Sequence, residues 1–183
     1  MTPTENLTNE HKDIIELLNI MNKIAENIKS NNVFYTKDVE DIIDYLKHFI
    51  ELSPNVKEKI LYPSLELSGI PIENESISIM LYEHALAQNY LNEISSSVEN
   101  CKIGNDFSGE MLADNLNKYV VLIKNHIHKE EKIIFPIAIK ELSEEKQKEI
   151  YKQFKEIEEK IVSTGINKYY HKLLKKLKSI YSV

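Results

Sequence analysis

The chain has 183 residues, about one domain at roughly 150 residues per domain, and 42% of them are hydrophobic against 28% charged, which excludes a disordered tail. Its 23 Lys and Arg against 29 Asp and Glu leave a net charge of −6, so it lacks the basic face that a duplex nucleic-acid binder needs to neutralise phosphates. Four Gly and five Pro argue against an all-β protein with many tight turns, and the single cysteine, Cys101, excludes an internal disulfide and any thiolate zinc or iron–sulfur site held by this chain alone.

Four blocks carry apolar residues at steps of three and four, the spacing of an amphipathic helix. The first runs from about Thr4 to Ile28 through Leu7, Ile14, Leu18, Met21 and Ala25, and the polar Lys29-Ser30-Asn31-Asn32 ends it. The second starts near Thr36, an expected N-cap with Asp38 and Glu40 in the first turn, and runs towards Leu67 with an interruption at Pro54. The third covers about Glu75 to Val98, with Ile77, Met80, Leu81, Ala87, Leu91 and Ile94 on one side. The fourth, opened by Ser108, reaches about Leu142 through Leu112, Leu116, Tyr119, Val120, Ile123, Ile127 and Ile134. Gly69, Gly104, Gly109 and Gly165 fall between the periodic stretches, where helix ends and connections belong.

Residues 1–142 therefore read as an all-α, up-down-up-down four-helix bundle. Residues 143–183 read as a C-terminal helical extension packed on it. Ser143 is expected to cap a charged, solvated fifth helix that ends before Gly165. From Asn167 to Val183, Lys168, Lys172, Lys175, Lys176 and Lys178 lie beside Tyr169, Leu173, Leu177 and Ile180. That helix is expected on the outside of the bundle, with contact to a partner or an anionic membrane as the alternative. The start, Met1-Thr2-Pro3-Thr4-Glu5, has neither a basic nor an apolar signal region, and no run of about 18 apolar residues occurs, so a cytoplasmic protein without a transmembrane segment is expected.

Three of the six histidines occupy core positions of this periodicity. His11 lies between Leu7 and Ile14, His84 between Leu81 and Ala87, and His126 follows Ile123 by three and precedes Glu130 by four. His126 and Glu130 thus stack on the buried face of one helix. A buried carboxylate is costly unless a cation or strong hydrogen bonds compensate it. A hydrogen-bonded core histidine explains any one of the three. Together, on three helices and with an inward Glu, they favour a metal, and imidazole with carboxylate but no thiolate suits iron, with zinc as an alternative. His128 points away towards the side of Lys124 and Glu131, His171 falls in the basic tail and is expected to be exposed, and His48 lies on the flank of the stripe through Ile42, Leu46 and Phe49.

The halves repeat. Lys57-Glu58-Lys59-Ile60-Leu61-Tyr62-Pro63 echoes Glu130-Glu131-Lys132-Ile133-Ile134-Phe135-Pro136, and Glu10-His11 echoes Glu83-His84. With these motifs residues 4 to 142 resemble the hemerythrin-like family, the HHE cation-binding domains. Met80-Leu81-Tyr82-Glu83-His84 and the run from His126 through Glu130 to Phe135-Pro136 carry most of the likeness, and Gly69-Ile70-Pro71 looks like one branch of the family. The resemblance implies a four-helix bundle holding two non-haem irons bridged by carboxylates and an oxygen species, in proteins that bind or sense oxygen, nitric oxide or iron. Carried over by position, it implies His11, His84 and His126 as imidazole ligands and Glu58 and Glu130 as bridging carboxylates.

The first half departs from that pattern. Pro54 stands where the family has a histidine four residues before the bridging Glu, and, counted back from Pro63, the Glu position falls on Lys57. A bulge at Ser53-Pro54-Asn55 is expected to return Glu58 to the core; the alternatives are Lys57 in its place, or His48 or Glu51 swung inward. The expected function is a hemerythrin-like iron protein that takes O2, peroxide or nitric oxide at the coordination position left open by the missing histidine. One iron or zinc is the alternative to two irons. A metal-free or zinc-binding interaction module and a di-iron oxidase or peroxidase are the other function classes.

Overall fold

The structure, a computed structural model, describes residues 1–31, 34–50, 52–67, 74–104 and 107–182. Among these residues there is no strand, and the helices are α1 (Pro3–Asn31), α2 (Thr36–Tyr45), α3 (Pro54–Leu67), α4 (Asn74–Lys102), α5 (Ser108–Lys129), α6 (Phe135–Glu141), α7 (Glu144–Ser163) and α8 (Ile166–Tyr181). A π turn at Leu46–Ile50 continues α2 and another at Glu130–Ile134 joins α5 to α6, so the bundle's second and fourth members are composite. α5 packs against α1 on one side and α4 on the other, α2 against α4, and α3 against α1. This is the expected four-helix bundle.

Its interior is two apolar clusters with a polar layer between them. One cluster gathers Leu18, Met21, Ile42, Leu91 and Leu116 with Leu177 of α8; the other gathers Leu7, Leu61, Met80 and Phe135 with Ile150 and Phe154 of α7. On every member of the bundle the change of cluster falls at an ionisable residue. His11 separates Leu7 from Ile14, Glu58 separates Leu46 from Leu61, His84 separates Met80 from Ala87, and His126 and Glu130 separate Ile123 from Ile134. The apolar stripes bury each helix, and in doing so carry these polar side chains inward at one level.

The π turn at Glu130–Ile134 reconciles the two halves. From acid to aromatic is four residues in Glu58 to Tyr62 but five in Glu130 to Phe135. The Phe135 N–H reaches back five residues to the Glu130 carbonyl, which accommodates the extra residue and lets Tyr62 and Phe135 enter the same cluster.

Several expectations need correction. Leu81 is 48% exposed, so the buried stripe of α4 runs through Ile77, Met80, Ala87 and Leu91. The cap of α2 is Tyr35 and makes no side-chain bond, Thr36 being the first helical residue. Gly109 is inside the first turn of α5, facing Ile28, whereas Gly104 and Gly165 do sit at helix ends with the positive φ that glycine tolerates. Gly69-Ile70-Pro71 lies outside the described residues.

Helix α7 is not simply solvated. Ser143 caps it, accepting from the Lys146 N–H at 3.2 Å, but Ile150, Phe154 and Ile161 are buried. Helix α8 buries Tyr170, Leu173, Leu174, Leu177 and Tyr181 against α1 and α2, and Lys178 pairs with Glu16 of α1 at 2.7 Å. No described helix is long and apolar enough to cross a membrane.

Candidate metal centre

His11, Glu58, His84, His126 and Glu130 all line one cavity of about 30 Å³ in the polar layer. Their ligand-type atoms form two groups, His11 with Glu58 and Glu130, and Glu58 with His84 and His126, each within 4.8 Å. Glu58 is common to both. Its Oε2 lies 2.9 Å from His84 Nε2, and His84 Nε2 lies 3.1 Å from His126 Nε2. Glu130 Oε2 sits between two rings, 3.2 Å from His11 Nε2 and 3.6 Å from His126 Nε2. Metal–nitrogen bonds of about 2.1 Å put neighbouring ligand atoms about 3 Å apart, so this spacing suits donors converging on a common ion.

The chemistry of the donors fits a cation as well. Glu58 Oε2 and Glu130 Oε2 are buried and accept no hydrogen bond from the described residues, although imidazoles lie close by. Such oxygens are costly to bury without a positive partner. Burial, reinforced by the negative Glu130, raises the Glu58 pKa above the ordinary carboxylate range. Burial also works against a charge on Glu130, but the ion pair with His11 and the field of His126 outweigh it and lower its pKa. On His11 burial opposes protonation, yet the close pairing with the negative Glu130 pushes its pKa up to about 9. His84 is raised for the same kind of reason, Glu58 overcoming burial. Protons thus hold together a cluster that a metal would hold by displacing them.

A set of adjacent residues orients the candidate ligands. Glu83 Oε2 lies 3.0 Å from His126 Nδ1, and Glu131 Oε1 lies 3.0 Å from His11 Nδ1. A proton on Nδ1 shared with a carboxylate leaves Nε2, the nitrogen facing the cavity, as the free donor. Lys129 pairs with the other oxygen of Glu83. The Tyr62 hydroxyl donates to Glu130 Oε1, and the His11 ring stacks on Phe135 at 5.7 Å. Burial and the surrounding carboxylates hold the Tyr62 hydroxyl firmly protonated. Glu131, expected on the outer side with His128, is turned towards His11 at the start of the π turn.

The register of the first half is set otherwise than expected. In place of a bulge confined to Ser53-Pro54-Asn55, a π turn at Leu46–Ile50 precedes the proline, and the Lys57 N–H donates to the Ser53 carbonyl at 3.0 Å as α3 begins. Glu58 enters the cavity. Lys57 is wholly buried too, but on the opposite side, where α1, α3 and α7 meet: its ammonium lies 2.7 Å from Asn6, 2.6 Å from Glu10 and 3.1 Å from Glu158, over the ring of Phe154. His48 stays exposed beside Asp44, so it does not swing inward; His128 and His171 are exposed as well. Glu51 lies outside the described residues.

Sequence reasoning passed over Glu83, Glu131 and Tyr62. The signal for two of them was adjacency, since Glu83 and Glu131 are chain neighbours of His84 and Glu130.

Residues 2–138 match the hemerythrin HHE cation binding domain. Over 99 residues the chain is 30% identical to a Haemophilus influenzae protein described as a probable iron-sulfur cluster repair protein, an overlap covering 52% of this chain and 44% of that one. The chain therefore spans less than half the length of this curated relative. No solved structure matches the chain.

Proposed function

The chain belongs to the family of hemerythrin HHE cation-binding domains, and on that footing we propose that its polar layer holds two non-haem irons and binds a small ligand such as O2, peroxide or nitric oxide. One observation carries this reading: Glu58 is common to both ligand groups, and its Oε2 and that of Glu130 are buried with no hydrogen bond from the described residues. His11, Glu58 and Glu130 would hold one ion, and Glu58, His84 and His126 the other. The irons supply exchangeable coordination positions at which a small ligand binds.

The chain's own residues do the rest. Glu83 and Glu131 keep His126 and His11 in the tautomer that presents Nε2 to the cavity. Tyr62 fixes one oxygen of Glu130 and leaves the other facing the rings. Pro54, in the cavity wall where a histidine ligand stands in relatives, offers no donor and leaves room. At about 30 Å³ the cavity has no room for an organic substrate, which favours small-ligand binding over an oxidase.

The relative described as a cluster repair protein supports a second reading of the same site, in which the iron itself is delivered to or taken from a partner in the cytoplasm. Metal analysis and an absorption spectrum of protein purified without added metal test the proposal. Two irons per chain with a ligand-to-metal charge-transfer band support it; zinc, or no metal, supports an interaction module that has lost the chemistry.

A further inference from the structure

Asn55 lines the same cavity as the five candidate ligands, yet has no place in the ligand set. It begins the inward stripe of α3, with Glu58 three residues on and Tyr62 four beyond that, so its side chain shares their face of the helix. It is 8% exposed, and no described residue hydrogen-bonds its carboxamide. Its amide is not among the sealed polar atoms that lack a partner, so it keeps access to the cavity space and is free to bond what enters there. The other polar side chains of the wall outside the ligand set, Gln88 and Tyr119, are already engaged in contacts of their own. The rest of the wall is largely apolar, with Ile14, Leu46, Leu91 and Ile123 among its residues.

We propose that Asn55, next to Pro54 in the cavity wall, is the hydrogen-bond donor to the small ligand bound at the metal centre. The inference rests on the metal reading above. A carboxamide carries two N–H donors and no charge, so it recognises a polar diatomic or peroxide ligand without competing as an anion for the metals. In a wall otherwise so apolar, that one bond separates ligands that accept a hydrogen bond from those of the same size that do not.

Nitric oxide on protein loaded with ferrous iron is the probe. Asn55→Leu, close in size to the original side chain, should keep the wild-type iron content, release nitric oxide about five to ten times faster, the worth of one hydrogen bond, and raise the N–O stretching frequency. Metal-free Asn55→Leu should melt no lower than the wild type, because the amide has no hydrogen-bond partner among the described residues to lose; Asn55→Ala repeats each comparison should the Leu variant not fold. An unchanged release rate and frequency at full iron content overturns the assignment. Loss of iron in both variants also overturns it, making Asn55 a ligand, and a lowered melting temperature in both metal-free variants overturns it by making Asn55 structural. Iron analysis before nitric oxide is added distinguishes these outcomes from failure of the metal reading itself, in which the wild type takes up no iron.

Discussion

Glu83 and Glu131 reach no further than the back of a histidine ring, but a ring held at Nδ1 presents Nε2 in one orientation, and metal affinity depends on that. Glu83→Ala should therefore weaken iron binding by about 10- to 100-fold, measured by competition with a chelator of known affinity, while His128→Ala, on the exposed face, leaves it unchanged. Equal losses in the two would show that the back of the ring plays no part. At this scale the sequence was legible where side chains follow helical periodicity. His11, His126 and Glu130 could be placed from apolar neighbours three and four residues away, because a stripe that must be buried carries along whatever polar residue stands in it. Glu131 could not. Its turn towards His11 depends on a π turn that periodicity of 3.6 does not anticipate.

Among elements, the join of α7 to the bundle depends on Lys57. Consecutive residues, about 100° apart round the helix, part here: Glu58 enters the cavity while Lys57 runs to Glu10 of α1 and Glu158 of α7. Lys57→Met should cost on the order of 3 kcal/mol in urea unfolding, since Glu10 would be left without its cation and one of its oxygens already lacks a partner. Iron stoichiometry should not change. A loss under roughly 1 kcal/mol would mean the cluster is no stronger than a surface pair. The same cluster predicts acid sensitivity. Burial works against the charge on Glu158, but hydrogen bonds from Lys155 and Asn6 and the charge of Lys57 lower its pKa to about 2. A carboxylate lowered on folding contributes its full stability above its unfolded value of about 4.3 and loses it as the pH falls towards its folded one. Between those limits Glu158→Gln should flatten the decline of stability with falling pH; a slope equal to the wild type's would exclude Glu158 from it. None of this was visible in the sequence, where α7 looked solvated because its charged residues outnumber the three that it buries.

For the molecule as a whole, the polar layer divides the apolar interior into two clusters, and the five candidate ligands, four of them buried, hold the helices together there only if their charges are balanced. Binding to the native state alone stabilises it by mass action, so chelating the metal from loaded protein should lower the melting temperature, and at 100 times the dissociation constant the stabilisation is about 2.7 kcal/mol. The bundle and its order of helices were readable from periodicity alone because long amphipathic stretches joined by short connections leave few other ways to bury their faces. The register of the first half was not, since the π turn at Leu46–Ile50, unmarked by composition, precedes the proline and helps set which of Lys57 and Glu58 faces the centre. Titration of iron into the metal-free wild type and Glu58→Gln tests that placement directly. The wild type should take up two equivalents and Glu58→Gln no more than one, because the one carboxylate common to both ligand groups is gone; equal uptake by the two proteins, or none by the wild type, would contradict a shared role for Glu58 in a dinuclear centre.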